Sequence, residues 1–401
     1  MYIHQERRRL IIKASVLLRY LIPFYDPDIK NWSGEARLMR WLTFAWLIIG
    51  LIVLYSASFP EGEANYGDGF YIIKRQVLFA WLGMIVFNWI VRSPLTNILK
   101  ISPWMLFVFL GLILATLVGF GTSVNGATRW IAIGPFLLQP SEFMKPFLVI
   151  QSAWIFGNWE RLPWRVRLTW IGIFGLVLVG ILVQPNLSTT ALCGMTIWLI
   201  ALASGLPFGY LGTTAILGAM TAVLSITFKE YQRKRITSFL DPWADPMGNG
   251  YQLVQSLYAI GSGGIWGTGY GLSQQKLFYL PIQYTDFIFS VFAEEFGIIG
   301  GIALLCLLGL YSTLALRIAM NCRHRVKRLI ALGVMVVMIG QSLLNIGVAT
   351  GALPTTGLPF PLFSYGGSSV VSCLILSALI IRVARESNEA EVVRLKQSQA
   401  T

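Results

Sequence analysis

Ten apolar runs, joined mostly by short polar connections, leave this chain few folds to choose from. They lie near 41–58, 76–91, 101–120, 141–156, 168–183, 188–203, 207–228, 287–319, 329–350 and 366–383. In a bilayer each backbone polar group must be satisfied without water, so such runs fold as helices, each needing roughly 17–25 residues to span. Composition agrees: 55% of the 401 residues are hydrophobic and 12% are charged, whereas a soluble domain carries about 25% charged residues. The expected fold class is all-α, a polytopic membrane protein with about ten transmembrane helices forming one domain over 41–383. The eighth run is longer than a bilayer requires and is expected to tilt or to extend past it.

Basic residues set the orientation. Arg7, Arg8, Arg9, Lys13, Arg19, Arg37 and Arg40 precede the first run, and Arg92 and Lys100 follow the second. Arg161, Arg165 and Arg167 follow the fourth, Arg317 to Arg328 hold five more after the eighth, and Arg382 and Arg385 close the tenth. All fall on one side by parity, which the positive-inside rule makes cytoplasmic. A basic arm over 1–40, with an amphipathic surface helix at 10–21, and a tail over 384–401 are therefore expected inside. The arm lacks the short apolar core of a cleavable signal peptide. The net charge of +13 is explained by this topology and by anionic lipid, without nucleic acid. Cys193, Cys306, Cys322 and Cys373 have neither metal-ligand nor disulfide spacing. His4 and His324 lie on the cytoplasmic side, so no histidine base is available outside.

The exception to short connections is 229–285, an extracytoplasmic segment before the eighth run. Loops this long in compact domains are functional or disordered. Trp243, Tyr251, Leu253, Leu257, Tyr258, Ile260 and Trp266 argue for a folded cap with a short helix at 251–260. At its end stands Asp286, with Glu294 and Glu295 two turns further on. A carboxylate at a membrane boundary is costly, so it is read first as functional.

Other outer segments add polar residues. In 125–146, Ser141 is a candidate N-cap, Glu142 complements the helix dipole, and Lys145 shares its face. The Glu142–Lys145 pair either closes the helix mouth or, with Arg129, forms an anion site. In 184–190, Pro185 breaks a helix and Asn186, Ser188 or Thr189 can cap the next. Lys229, Arg233, Lys234 and Arg235 run against the positive-inside trend, and an anionic head group or pyrophosphate would account for them. Asp241 and Asp245 sit in Asp-Pro turns, where capping is the usual role. The uncharged 351–369 segment, with three prolines, reads as a rigid wall.

Six stretches occur in an order that resembles the SEDS family (shape, elongation, division and sporulation) of polytopic peptidoglycan polymerases. They are YSAS from Tyr55, NGATRWI from Asn125, QPSEFMK from Gln139, DPMGNGYQLVQSLYAIGSGGIWGTGYG from Asp245, LPIQYTDFIFSVFAEEFG from Leu280, and LPFPLFSYGGSS from Leu358. NIGVATGALPTTGLP from Asn345 is more similar to the division branch than to the elongation branch. The resemblance covers 41–383. It implies a glycosyltransferase that polymerises lipid II on the outer face of the bacterial cytoplasmic membrane. It also implies a class B penicillin-binding protein and other division proteins as partners. The family's essential carboxylate falls on Asp286, its helix pair on Glu142 and Lys145, and its NGxxRW positions on Arg129 and Trp130. One departure is clear: the usual QPDLGT is here QPNLST, so Asn186 can hydrogen-bond but supplies no charge.

On that resemblance Asp286 deprotonates the attacking hydroxyl while Arg129, Lys145 and Lys276 meet the pyrophosphate leaving group. No metal-ligand spacing is evident, though a divalent cation (Mg or Mn) is compatible with such chemistry. The competing classes are a lipid II flippase and a non-catalytic scaffold. A flippase needs polar residues through the membrane depth, whereas here they cluster outside.

Overall fold

The computed structural model describes residues 27–124 and 127–398; the expected surface helix at 10–21 lies outside them. Twelve α-helices are found among the described residues. Seven match the first seven runs: α1 Gly34–Tyr66, α2 Tyr71–Arg92, α3 Leu95–Ala115, α4 Pro140–Gly157, α5 Trp164–Val183, α6 Leu187–Ala203 and α7 Phe208–Phe228. Two short helices follow in the long loop, α8 Glu230–Leu240 and α9 Tyr251–Gly263. The last three runs are α10 Ile288–Asn321, α11 Arg325–Ala349 and α12 Gly367–Ser398. By length and composition alone, 7 of these helices can cross a membrane, and α6 is a shorter apolar helix.

The helices are arranged around α12, whose residues from Ser368 to Ala384 are buried throughout. It lies along α2 and also touches α1, α4 and α11. Aromatic side chains fill the centre: Trp46 meets Tyr311 edge-on at 5.3 Å, and Phe360 lies 4.9 Å from Phe363. At the opposite extreme α7 buries only Leu211 and packs on α6.

Three features depart from the expectation of ten uninterrupted helices with simple connections. First, an antiparallel sheet forms in the order β1 Thr122–Val124, β2 Ala127–Ile133, β3 Phe136–Leu138. Its register places Trp130 opposite Thr122 and Ile131 opposite Leu138. Second, Ser141 is not the cap of α4. Pro140 starts the helix one residue earlier, with Gln139 at the cap position, and the Ser141 hydroxyl has no partner among the described residues. Proline suits that first position because its fixed φ is helical and its missing N–H is not needed there.

Third, α10 is broken at Gly297, where φ is 62° and ψ is −163°. The polar loop after α9 fills the break. Ile298 and Ile299 donate their amides to the carbonyls of Gly264 and Ile265 at 3.0 and 3.2 Å. Thr268 and Gly269 donate in turn to the carbonyls of Glu294 and Glu295. A side chain at 297 would put its Cβ 2.4 Å from the Gly267 nitrogen, so the approach requires glycine. The whole helix has 34 residues, about 50 Å at 1.5 Å per residue, against a hydrocarbon core of about 30 Å. Residues 298–321 alone, at about 36 Å, are long enough to span. The excess length of the eighth run therefore belongs to the cap, and the ten residues between Asp286 and Gly297 precede the spanning part.

Candidate active site

Asp286 lies in the turn immediately before α10 and is half-buried. Its position is fixed through backbone. Asn345 Nδ2 donates to the Asp286 carbonyl at 2.8 Å and to the Leu358 carbonyl at 2.9 Å. One residue back, Ser364 Oγ donates to the Thr285 carbonyl at 2.5 Å, and the Tyr365 amide reaches the Tyr284 carbonyl at 2.9 Å. The carboxylate itself has no hydrogen bond or ion pair among the described residues. It is left available to a ligand.

Two arginines act on that carboxylate. Arg235, from α8, donates to the Thr355 carbonyl at 3.1 Å and to the Tyr231 hydroxyl, and lies over the Tyr231 ring at 4.5 Å. Gly357 sits between it and Asp286: a Cβ there would lie 3.4 Å from Asp286 Oδ2 and 3.9 Å from both Arg235 terminal nitrogens. With φ of 71° the position favours glycine on conformational grounds too. Arg129, from β2, donates to the Gln184 carbonyl at 3.1 Å and to the Pro185 carbonyl, which ties the sheet to the α5–α6 turn. Burial raises the Asp286 pKa, while Arg235 and then Arg129 pull it back down. Burial likewise lowers the pKa of Arg129.

The other sequence-predicted residues lie elsewhere. Lys145 and Glu142 form a buried pair at 2.6 Å, exposed by only 3% and 2%. Lys145 also donates to Gln341 Oε1 at 2.9 Å. Lys276 pairs with Glu295 at 2.8 Å beneath the loop and reaches Ser56 Oγ at 2.8 Å. Glu294 accepts from Ser273 Oγ and from the amides of Gln274 and Gln275, so both glutamates fasten the loop. Asn186 caps α6, accepting from the Thr189 amide at 3.3 Å. Trp130 is half-buried on β2 beside Arg129. Asp245 accepts from the Asn249 amide at 2.8 Å, a turn-capping role. The structure thus brings Arg129 to Asp286 and adds Arg235, which the sequence showed only as one member of a basic cluster. Its signal was the 231–235 spacing on an unrecognised helix.

This arrangement of helices, cap and unpartnered carboxylate has parallels in known proteins. Residues 36–389 match the family of FtsW, RodA and SpoVE, described as "Cell cycle protein". The chain belongs to the FtsW/RodA/SpoVE family. A probable peptidoglycan glycosyltransferase FtsW of Synechocystis sp. is 65% identical over 96% of this chain and 98% of its own. Stage V sporulation protein E of Bacillus subtilis is 37% identical over 86% of this chain and 96% of its own. Among solved structures, Thermus thermophilus rod shape determining protein RodA aligns with a TM-score of 0.66 at 26% identity, over 89% of this chain and 98% of its own. Another, described as "Structural coordination of polymerization and crosslinking by a peptidoglycan synthase complex", aligns at 0.70 and 27% identity, over 87% and 97%. Family membership thus covers the whole helical domain, including Asp286 and its two arginines.

Proposed function

We propose that this FtsW/RodA/SpoVE-family chain is a peptidoglycan glycosyltransferase of the division branch. It polymerises lipid II on the outer face of a bacterial cytoplasmic membrane, with both termini inside. The observation that carries the reading is a half-buried carboxylate, unpartnered among the described residues, beside two arginines at the N-terminal end of α10. The division branch is favoured by the 65% identity to an FtsW.

In the proposed reaction Asp286 takes the proton from the 4-hydroxyl of the acceptor GlcNAc. That oxygen attacks the anomeric carbon of the donor MurNAc, forming the glycosidic bond. The bond from that carbon to the pyrophosphate oxygen breaks, and its electron pair leaves with undecaprenyl pyrophosphate. A raised pKa makes Asp286 a better base than an ordinary carboxylate. Arg235 and Arg129 meet the charge that develops on the leaving group. Lys145 and Lys276 do not take that role in this scheme, because each is already paired with a buried carboxylate.

A class B penicillin-binding protein is the proposed partner, consistent with a structural relative described as coordinating polymerization and crosslinking. The flippase alternative requires a polar route through the bundle, and its centre is closed by Trp46, Tyr311, Phe360 and Phe363. Purified protein incubated with lipid II, alone and with the partner, tests the assignment. Glycan strands on a gel are expected. Lipid II translocation across liposomes without polymer would contradict it.

A further inference from the structure

The Asp286 carboxylate is unheld at its tip, so its aim depends on the peptide that carries it. Two side chains hold the peptide units on either side of it: Ser364 at the Thr285 carbonyl and Asn345 at the Asp286 carbonyl. Asn345, on α11, is 1% exposed and directs both amide hydrogens at carbonyls, those of Asp286 and Leu358. Two carbonyl acceptors at 2.8 and 2.9 Å leave only one amide orientation, since the flipped one would face oxygen with oxygen. Its own Oδ1 is buried with no partner among the described residues. A buried acceptor left unmade is costly, and a residue needed only for packing would not keep it.

One turn earlier on the same face, Gln341 is also 1% exposed. Its Nε2 donates to the Pro359 carbonyl at 2.6 Å and its Oε1 accepts from Lys145 at 2.9 Å. Lys145 is held by Glu142. Carbonyls 358 and 359 are neighbours in the strap that carries Gly357, the residue against both Asp286 and Arg235. A continuous chain therefore runs from Glu142 through Lys145 and Gln341 to the strap, and through Asn345 to Asp286.

We infer that Asn345 is a positioning residue for Asp286, and that Gln341 with the Lys145–Glu142 pair fixes the 351–366 strap from which Asn345 sets the distance between that carboxylate and Arg235. The inference rests on Asp286 acting as the base, as proposed above. It gives the buried pair a part in the reaction without contact to substrate.

The test uses the full-length protein with its partner, and lipid II as probe. Asn345→Asp keeps the shape but removes both donors when ionised; Asn345→Ser keeps one short donor. Gln341→Glu keeps an oxygen for Lys145 and loses the donor to Pro359. For each, kcat, KM and the pH–rate profile are measured on monodisperse protein, with Asp286→Asn as control. A misplacement of about 1 Å can cost about a hundredfold in rate. The expected order of kcat is therefore Asn345, then Ser, then Asp, with about tenfold or greater total loss and KM within about twofold. The acid limb of the profile should also move, because Asp286 shifts relative to Arg235 and Arg129. Should Asn345→Asp fail to fold, Asn345→Ser and Gln341→Glu must show the same kcat loss and limb shift. Variants that lose only folded protein, or raise KM with kcat and the limb unchanged, overturn the inference. An active Asp286→Asn control would instead overturn the base assignment beneath it.

Discussion

Asp286 and Arg235 make a pair whose charges can be tested by titration. Burial raises the carboxylate's pKa above its ordinary 3.8, and Arg235 is the larger of the two opposing influences. A base works only when deprotonated, so activity should fall as pH drops through that raised value. Replacing Arg235 by Gln removes a cation that favours the ionised form, so the acid limb should move to higher pH. Initial polymerisation rates across the acid range check this; a limb that stays put or moves down contradicts the pairing. The second residue-scale prediction concerns Glu142 and Lys145. Either charge left alone inside the bundle costs about 3–5 kcal/mol, more than losing both. Lys145→Met and Glu142→Gln should each lower the yield of folded protein and polymer, and the double variant should recover part of it. Failure of the double variant at the level of Lys145→Met, with normal folding, would show that Lys145 acts on the reaction through Gln341 or through substrate rather than only within its ion pair. At this scale the sequence marked Asp286 as a boundary carboxylate, put Glu142 and Lys145 on one face, and offered Asn186, Ser188 or Thr189 as the cap that Asn186 makes. It could not show that Lys276 points to Glu295, because that pairing depends on how the loop folds back on α10.

Helix α10 shows where reading by element succeeds and where it stops. Its apolar run was legible, as were all ten runs and the short helix now seen as α9, since hydrophobic length survives without tertiary context. The break at Gly297 was not. A single glycine in an apolar helix is unremarkable until a second segment approaches it, and that segment comes from 264–269. The β-sheet was missed although Asn125-Gly126 is a strong hairpin signal, because a short hairpin among membrane helices carries little periodicity. Helix α8 was hidden by its basic character. Gly297→Ala should strain a φ of 62° and drive its Cβ into the Gly267 backbone, destabilising by about 2 kcal/mol or more. A melting temperature in detergent equal to that of the parent would show that the break is not built as described.

Across the whole molecule, the cap assembles from distant parts of the chain: the sheet, α8, α9, the start of α10 and the strap before α12. The charge asymmetry predicts that a reporter placed within 245–250 reports the outside, while one after Arg325 reports the cytoplasm. A cytoplasmic signal from 245–250 would invert the site and remove its access to lipid II on the outer face.

The central claim is that Asp286 is the base of a polymerase, and it is most directly tested by replacing that carboxylate. Purified Asp286→Asn, with its partner and lipid II, should lose at least about a hundredfold in strand formation. Its melting temperature should not fall, because a buried carboxylate whose pKa is raised weakens the fold when ionised. Near-parental polymer yield from this variant would contradict the account.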